Sequence, residues 1–372
     1  MVVIKDPIYK LIEIEEEFLA IIDNPYFQRL RNIKQNALLF YVYPSAKHDR
    51  FTHSIGTYHL MKQVVNNGLM NLSEKDKFNL KAAALLHDIG HGPYSHLWEQ
   101  MIPNFDHEEM SAVIIREIFQ LPEVAQIIEK DHPYYKLLSS VIDVDKLDYM
   151  ARDSYFCGVG YGHTDVERIV RSLSVEDNKL IISPKIVSSV EHVITGRISL
   201  YKSTYFHPAC RSKDALMKSM FKCVSDLYFS GEDVFVDELL SRFLDQTFNI
   251  EDFLLIDDSI IEYHVHIWRK SKNPILFDLA NRFFNRKSFV AKNIKIEGNK
   301  FLEEVKERIK KKYLLSLYYI EDKIIKGVYE NEVYVKKPNE ELIALSKFSE
   351  HIAGIIRTPI KIDLVIVPRE SL

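Results

Sequence analysis

The strongest chemical signal in the sequence is a set of four residues that could hold one divalent metal ion. The set consists of His53, the adjacent pair His87 and Asp88, and Asp145. Two imidazoles and two carboxylates form a borderline-to-hard donor set, which suits octahedral Mn²⁺, Fe²⁺ or Mg²⁺ and also accommodates Zn²⁺ or Ni²⁺. An ion of this kind lowers the pKa of a bound water and so provides a nucleophile near neutral pH.

The local context of His87 and Asp88 favours a metal site over a structural role. A single histidine or aspartate among apolar helix residues is usually a hydrogen-bonded structural group. Here the pair follows the apolar stretch 82–86, where desolvating two ionisable side chains requires strong compensation such as a bound ion. Two glycines and Pro93 then end the helix where a substrate could approach.

Histidine is the unusual count in an otherwise ordinary composition. Of 14 histidines, half lie within residues 48–107: His48, His53, His59, His87, His91, His96 and His107. The 372 residues are 47% hydrophobic and 27% charged, which is typical of a globular protein with a sizeable core. The net charge of −4 argues against coating a long nucleic acid but allows a local basic pocket.

Cysteine usage and the amino terminus indicate the compartment. Cys157, Cys210 and Cys223 form no C-x-x-C pair and are too few for a disulfide framework. The amino terminus has no basic segment followed by an apolar one, and no apolar run approaches the roughly 20 residues that span a bilayer. We therefore expect a soluble, cytoplasmic protein.

The spacing of apolar residues predicts a mainly α fold that positions these side chains. A short hairpin around Asp6-Pro7 opens the chain. Apolar spacings of three and four then predict helices over 15–22, 25–36, 53–70, 75–90, 107–119, 122–130 and 134–156. Ser73 with Asp76 is typical of a helix start, as is Ser183 before a proline.

The carboxyl end has a different pattern. Residues 324–336 alternate around a turn at Asn331, 339–356 form an amphipathic helical pattern, and 360–367 form a strand pattern. These features predict a small α/β appendage. We expect a helical core with its extension over 1–315 and the α/β subdomain over 316–372.

The four candidate ligands resemble the H…HD…D signature of the HD-domain metal-dependent phosphohydrolases. Longer runs agree with one branch of that family: QRLRNIKQ (28–35), RFTHSIG (50–56), HDIGHGPYSH (87–96) and DVDKLDYMARD (143–153). The sequence therefore resembles the dGTPase-like deoxynucleoside triphosphate (dNTP) triphosphohydrolases, motif by motif over roughly 1–215. The resemblance implies an HD-domain helical bundle with a divalent metal ion, and a homodimer or homotetramer.

The resemblance also implies a nucleotide-binding set: Gln35, Arg50, Lys146, Tyr149, Asp153, Arg197 and Tyr205. Family counterparts of Arg50, Lys146 and Arg197 contact phosphate. Those of Tyr149, Asp153 and Tyr205 meet the sugar, with the aspartate accepting from the 3′-hydroxyl and Tyr205 packing near C2′. From the residues alone, a tyrosine packed in the core and an aspartate paired with Arg152 or Lys146 are equally good interpretations.

For proton transfer, the resemblance points to His91, His96 and His107, with Glu99 and Glu108 as carboxylates that orient them. His96 resembles the histidine beside the α-phosphorus, and His107 the distal member of a relay. The implied reaction is attack of metal-activated water on the α-phosphorus, which releases deoxynucleoside and tripolyphosphate.

A regulatory site is also implied. Asp23, Gln28 and Arg31 match a site that binds an activating nucleotide, GTP or dGTP, in a family member. Fold-level likeness does not carry function, so this expectation is an analogy.

Three alternatives stay open. The protein could be an HD phosphohydrolase for another nucleotide, such as a monophosphate, a cyclic nucleotide or a guanosine alarmone. It could be a nucleotide-sensing binding protein, although the intact ligand set argues against this. Nucleic-acid binding gains support only from local basic runs. Lys146, Tyr149 and Asp153 together favour a dNTP substrate.

Overall fold

The computed structural model describes residues 2–285, 287–329 and 331–372. The chain opens with a two-stranded antiparallel sheet of β1 (Val2–Asp6) and β2 (Lys10–Ile14). The Asp6 carboxylate accepts hydrogen bonds from the backbone N–H groups of Ile8 (2.8 Å) and Tyr9 (2.9 Å), which closes the turn. The predicted hairpin is confirmed.

Helices dominate the chain up to residue 285, so the prediction of a mainly α fold is confirmed. Those of the first half are α1 (Leu19–Ile22), α2 (Pro25–Gln28), α3 (Arg50–Val65), α4 (Glu74–Leu86), α5 (His96–Glu99), α6 (His107–Glu117), α7 (Pro122–Ile128) and α8 (Val144–Cys157). They are followed by α9 (Val166–Val170), α10 (Val187–Leu200), α11 (Pro208–Ser230), α12 (Glu238–Leu244), α13 (Ile250–Leu255), α14 (Asp258–Trp268) and α15 (Pro274–Phe284). No helix among the described residues is both long enough and apolar enough to cross a membrane.

Side-chain caps fix where the site-bearing helices begin. The Asp49 carboxylate accepts from the backbone of Thr52 (2.8 Å) at the start of α3, and Asp143 accepts from that of Lys146 (2.8 Å) at the start of α8. The predicted capping box of Ser73 with α4 is present, and Ser183 caps the turn that leads into α10.

Helix α3 packs against both α4 and α8. Gly56 on α3 allows α8 to approach closely, because a Cβ atom there would lie 1.9 Å from an oxygen of Asp148. Leu85 and Leu86, at the end of α4, are fully buried. This packing brings the start of α3, the end of α4 and the start of α8 to one place.

Four predicted helices start or end well inside their predicted bounds, and one of them, predicted over 53–70, ends at Val65. The segment 25–36 is α-helical only to Gln28; it continues as a 3₁₀ turn over Arg29–Asn32 and then pairs with 48–50. The segment 75–90 ends at Leu86, so the His-Asp dyad lies at the helix end. The predicted helix 134–156 begins only at Val144, because the cap at Asp143 also accepts from Ser140 (2.6 Å) and holds a turn before it.

Two small sheets complete the fold, and one of them joins the carboxyl end to earlier segments. The first has the order β3 (Ser174–Glu176), β4 (Lys179–Ile182), β7 (Val333–Lys336), β8 (Leu342–Ala344), with β4 and β7 parallel. The second is antiparallel with the order β5 (Phe289–Asn293), β9 (Ile360–Pro368), β6 (Ile320–Lys326). The accompanying helices are α16 (Ile294–Lys310), α17 (Leu315–Tyr318), α18 (Leu345–Phe348) and α19 (Glu350–Ile356).

The predicted small α/β parts are therefore present, with two corrections. The alternating pattern of 324–336 does not describe one hairpin, because β6 and β7 belong to different sheets. The predicted helix 339–356 is wrong at 342–344, where strand β8 pairs with β7 and the helices start only at Leu345. The domain boundary at 315/316 stays a prediction.

Candidate active site

The structure brings the four predicted metal ligands together. The Nε2 atom of His53 lies 3.2 Å from Nε2 of His87 and 3.1 Å from a carboxylate oxygen of Asp145. Nε2 of His87 lies 3.4 Å from an oxygen of Asp88 and 3.7 Å from that of Asp145. The ligand atoms of His53, His87 and Asp88 thus lie within 4.8 Å of one another, and Asp145 approaches both imidazoles from the start of α8.

Both imidazoles are oriented from behind. Nδ1 of His53 lies 2.7 Å from a carboxylate oxygen of Asp148, and Nδ1 of His87 lies 3.0 Å from the carbonyl oxygen of Ala84. Each acceptor fixes a hydrogen on Nδ1, so Nε2 is the nitrogen that faces the cluster and would offer its lone pair to a bound ion. Metal-ligating histidines are held in this way.

The electrostatics of the cluster favour a cation. Burial alone would lower the pKa of His53, but hydrogen bonds with Asp145 and Asp148 raise it to about 10. Burial would raise the pKa of Asp88, and the charges of Arg50 and His87 instead hold it well below its usual range. The residues therefore attract positive charge to the place where the ligand atoms meet, which fits a divalent ion.

A buried ion-pair chain supports the cluster, and the sequence interpretation missed it. Arg152 donates to both oxygens of Asp148 (2.9 Å each) and to Asp6 (2.8 Å). Arg152 and Asp148 are completely buried. The signal was present in the sequence, because Asp145, Asp148 and Arg152 share one face of α8 at spacings of three and four.

The cluster lies at a cavity of about 980 Å³. Ten further residues of the predicted site line this cavity: Gln35, Arg50, His91, His96, His107, Lys146, Tyr149, Asp153, Arg197 and Tyr205. Glu99, the remaining predicted residue, contacts His96 and His107. The alternative in which Asp153 pairs with Arg152 or Lys146 is wrong. Arg152 pairs with Asp6 and Asp148, and Lys146 pairs with Asp143.

Three cationic side chains that line the cavity are Arg50, Lys146 and Arg197. Arg50 donates to Asp88 and, through Nε, to the Ser95 hydroxyl (2.8 Å). The Lys146 ammonium group lies 2.7 Å from Asp143. Arg197 donates to a backbone carbonyl at 3.2 Å, while its buried Nε has no partner among the described residues. The charges are close to the metal cluster and suit an anionic ligand.

Buried polar atoms without partners also point to a ligand. Besides Nε of Arg197, the side-chain oxygen of Gln35 and the hydroxyl of Ser140 are buried with no hydrogen bond among the described residues. All three residues line the cavity. Buried polar groups are nearly always satisfied in proteins, so these atoms are suited to contact a bound molecule.

The second histidine group surrounds Glu99. This carboxylate accepts from Nδ1 of His107 and lies 3.4 Å from Nδ1 of His96. Burial would raise the pKa of Glu99, but the contacts with both histidines lower it to about 2. The ring of His91 stacks on that of His107 with centroids 3.9 Å apart, and burial together with Arg50 holds the His91 pKa well below its usual value.

The ligand atoms of His91, His96, Glu99 and His107 all lie within 4.8 Å of one another, so this group could also hold an ion. The predicted orienting role of Glu108 is wrong, because its carboxylate pairs with Lys130 at 2.8 Å.

Near Asp153, an irregular turn sets the position of Tyr205. Helix α10 continues as a π-helical turn over Tyr201–Tyr205, a feature often found at functional sites. The Tyr205 hydroxyl donates to Asp153, and its ring packs edge-on against Tyr149 at 6.5 Å. The two predicted ridges, one on α8 and one on α10, thus face each other.

The predicted activator residues lie outside this cavity. Arg31 donates to the side chain of Gln28 at 2.8 Å, and its guanidinium stacks on Phe51 at 3.5 Å. Asp23, which precedes Gln28 in the sequence, is exposed. Phe51 follows Arg50 directly, so this surface adjoins a residue that lines the cavity.

Comparison with known proteins agrees with the motifs. Residues 50–153 match the HD domain, and residues 164–349 match the HD associated region. The chain is 33% identical over 308 residues to the uncharacterized protein YwfO of Bacillus subtilis, covering 77% of this chain and 71% of that protein. It is 30% identical over 282 residues to the human deoxynucleoside triphosphate triphosphohydrolase SAMHD1, covering 61% of this chain and 45% of the human protein.

A solved structure is similar along its whole length. A phosphohydrolase from Bacteroides thetaiotaomicron has a TM-score of 0.89 and 27% identity, covering 99% of this chain and all of that one. The fold and the His-Asp cluster define an HD-domain hydrolase with a site for a divalent metal ion. The chain belongs to the HD-domain phosphohydrolase family, in the branch that carries the HD associated region and includes dNTP triphosphohydrolases.

Proposed function

We propose that this protein is a metal-dependent dNTP triphosphohydrolase. The observation that carries the proposal is one cavity that combines the metal cluster, the cations Arg50, Lys146 and Arg197, and the pair Asp153 and Tyr205. A triphosphate needs the cations, and a sugar hydroxyl needs the buried acceptor. The human deoxynucleoside triphosphate triphosphohydrolase named above supports this choice of substrate class.

The reaction balances as a hydrolysis at the α-phosphorus. A divalent ion held by His53, His87, Asp88 and Asp145 would supply Lewis acidity to a phosphate oxygen and acidify a water. Water attacks the α-phosphorus in line, and the bond from that phosphorus to the 5′ oxygen breaks. The products are a deoxynucleoside and tripolyphosphate.

The protein's own cations stabilise the charge that develops. Arg50 is fixed by Asp88 and Ser95, so its remaining N–H groups have a defined direction. Arg197 keeps an unpaired Nε. Pre-oriented donors of this kind stabilise a transition state without further reorganisation.

The leaving oxygen requires a proton, for which His96 is the proposed donor. Its side chain is 63% exposed at the cavity and lies against Glu99. The contacts with His96 and His107 lower the pKa of Glu99 to about 2, so it stays ionised and orients both rings. His91, held neutral, stacks behind them.

The remaining expectations belong to the same proposal: manganese as the working metal, a cytoplasmic homodimer or homotetramer, and activation by GTP or dGTP. The contact of Arg31 with Phe51 supports a route from the activator surface to Arg50. Adding GTP or dGTP to a turnover assay tests the activation, and Arg31→Ala is expected to remove it.

The test is turnover of each dNTP by the manganese-loaded protein, with products separated by charge. We expect deoxynucleoside and tripolyphosphate, and no activity in Asp145→Ala because a ligand is lost. Asp226→Ala, which removes an exposed carboxylate of α11, is the matched control and should keep full activity. Activity in Asp145→Ala, or orthophosphate as the inorganic product, would refute the proposal.

A further inference from the structure

The Asp153 carboxylate is held by donors from three parts of the chain. One oxygen accepts from the Asn36 side-chain amide at 2.8 Å and from Nε2 of His48 at 2.7 Å. The other oxygen accepts from the Tyr205 hydroxyl. Asp153 is 1% exposed and lines the cavity, so these contacts form inside the proposed nucleotide site.

The backbone explains why Asn36 and His48 meet at one oxygen. The Gln35 N–H donates to the His48 carbonyl at 3.0 Å. The adjacent residues Lys34 and Asp49 form an antiparallel β-bridge. The two segments therefore run side by side. The His48 ring also stacks on Phe156 with centroids 4.7 Å apart, which fixes its plane.

The chemistry of the partners determines which atoms donate. An ionised carboxylate only accepts, so Asn36 must present its NH₂ group and His48 its Nε2–H. Burial, followed by the charge of Asp153, raises the pKa of Tyr205 well above its usual value, so the phenol remains a donor. All three groups thus donate to Asp153.

Counting lone pairs then limits what else Asp153 can accept. A carboxylate offers about four acceptor positions, two on each oxygen. The oxygen facing Asn36 and His48 is saturated, and the oxygen facing Tyr205 has one position left. Asp153 can therefore accept one further hydrogen bond.

We propose that Asn36 and His48 are positioning residues that make Asp153 an acceptor for a single sugar hydroxyl. This inference rests on the proposed function. The sugar of a 2′-deoxynucleoside 5′-triphosphate has one free hydroxyl, at 3′, which matches the one open position. The saturated oxygen thus leaves the other oxygen of Asp153 to accept from the 3′-hydroxyl.

The test compares a dNTP with the matching 2′,3′-dideoxynucleoside triphosphate, which lacks the 3′-hydroxyl. In the wild type, kcat/KM is expected to favour the dNTP. In Asn36→Leu and His48→Phe, the ratio of the two kcat/KM values is expected to fall about tenfold, as for loss of one oriented hydrogen bond to a charged group. The change should come from KM of the dNTP, since no reacting atom is touched.

Conservative and control variants separate positioning from folding. His48→Gln keeps an N–H donor and is expected to restore most of the ratio. Asn32→Leu and His266→Phe change exposed residues outside the cavity and should leave it unaltered. An unchanged ratio in both Asn36→Leu and His48→Phe, with equal losses on both substrates, would overturn the proposal.

Binding without turnover keeps this inference separate from the proposed reaction. Calorimetry of the wild-type protein with a 2′-deoxynucleoside and its 2′,3′-dideoxy analogue should show tighter binding of the former. If no dNTP is hydrolysed but this preference is present, the proposed reaction fails and the inference stands. Equal binding of the two nucleosides would refute the inference.

Discussion

At the scale of single residues, the metal cluster depends on groups that do not themselves reach its centre. Asp148 holds the ring of His53, and Arg152 holds Asp148. Both are fully buried, so each charge depends on the other for compensation. The ligands are thus only the inner part of a connected network.

Replacing Asp148 by Asn should weaken metal binding without removing a ligand. We expect metal affinity to fall about 10–100-fold, as for loss of other groups that orient a ligating histidine. We also expect a loss of about 3 kcal/mol in the free energy of unfolding, because Arg152 loses a buried partner. Chelator competition and urea unfolding measure the two effects.

Asp233→Asn is the control, since its exposed pair with Lys272 should contribute little to either quantity. Wild-type metal affinity in the Asp148 variant would contradict the role assigned to this network.

The residue types of the metal cluster could be predicted from sequence, but their supporting contacts could not. His53, His87, Asp88 and Asp145 are recognisable by chemistry and order along the chain. Nothing in the spacing of His48 indicates that it meets Asp153, 105 residues away. Such contacts depend on how segments pair in space, which local patterns do not encode.

At the scale of elements, the close approach of α3 to α8 holds the two sides of the metal cluster together. Gly56 allows this approach, because its missing side chain leaves room for the Asp148 and Arg152 pair. The nearest atoms of that pair would lie 1.9 and 2.4 Å from a Cβ atom, far inside contact distance. The helices must separate, or the ion pair must rearrange, if any side chain is added.

We therefore expect Gly56→Ala to destabilise the protein by about 3 kcal/mol through overpacking, and to weaken metal binding as well. Gly354→Ala on α19 is the matched control, because no atom lies near its Cβ position. There we expect little change or a gain of up to about 1 kcal/mol, as alanine favours a helix. Urea unfolding of both variants checks this; equal stabilities would contradict the packing argument.

Helix existence could be predicted at this scale, whereas most helix ends could not, apart from the starts marked by Ser73 and Ser183. The pattern over 134–156 is apolar and periodic throughout, yet the cap at Asp143 starts the helix at Val144. The apolar spacing over 339–356 predicts a helix, but 342–344 form strand β8 because they pair with β7. A local side-chain cap overrides the periodicity in the first case, and strand pairing overrides it in the second.

At the scale of the whole molecule, charged contacts join the carboxyl-terminal strands to the helical body. Arg211 on α11 binds Asp322 on β6 through two nitrogens, at 2.7 and 2.9 Å, and contacts Asp214 at 3.2 Å. Burial raises the pKa of Asp214 from 3.8 to about 6, although Arg211 and Lys218 oppose this. The carboxylate of Asp214 is thus incompletely compensated near neutral pH.

This shift predicts a pH dependence of stability. The folded state binds the Asp214 proton more tightly than the unfolded chain does. The contribution of Asp214 to the free energy of unfolding therefore falls as pH rises from about 4 to 6, and it stays low above pH 6. Asp214→Asn should therefore stabilise the protein by about 2 kcal/mol at pH 7.5. The full pKa shift of Asp214 corresponds to about 3 kcal/mol, but the substitution also weakens a contact with Arg211. At pH 4 we expect little difference.

Urea unfolding at the two pH values measures this effect. Asp226→Asn, an exposed carboxylate on the same helix, should show no such difference. A stabilisation by Asp214→Asn that is the same at both pH values would contradict the assignment.

The most direct test of the proposed function is to follow the oxygen of the attacking water. Manganese-loaded protein is incubated with a dNTP in water enriched in ¹⁸O, and the products are analysed by mass spectrometry. Attack at the α-phosphorus predicts one ¹⁸O atom in tripolyphosphate and none in the deoxynucleoside. Label in pyrophosphate or orthophosphate, or in the 5′ hydroxyl of the deoxynucleoside, would contradict the account.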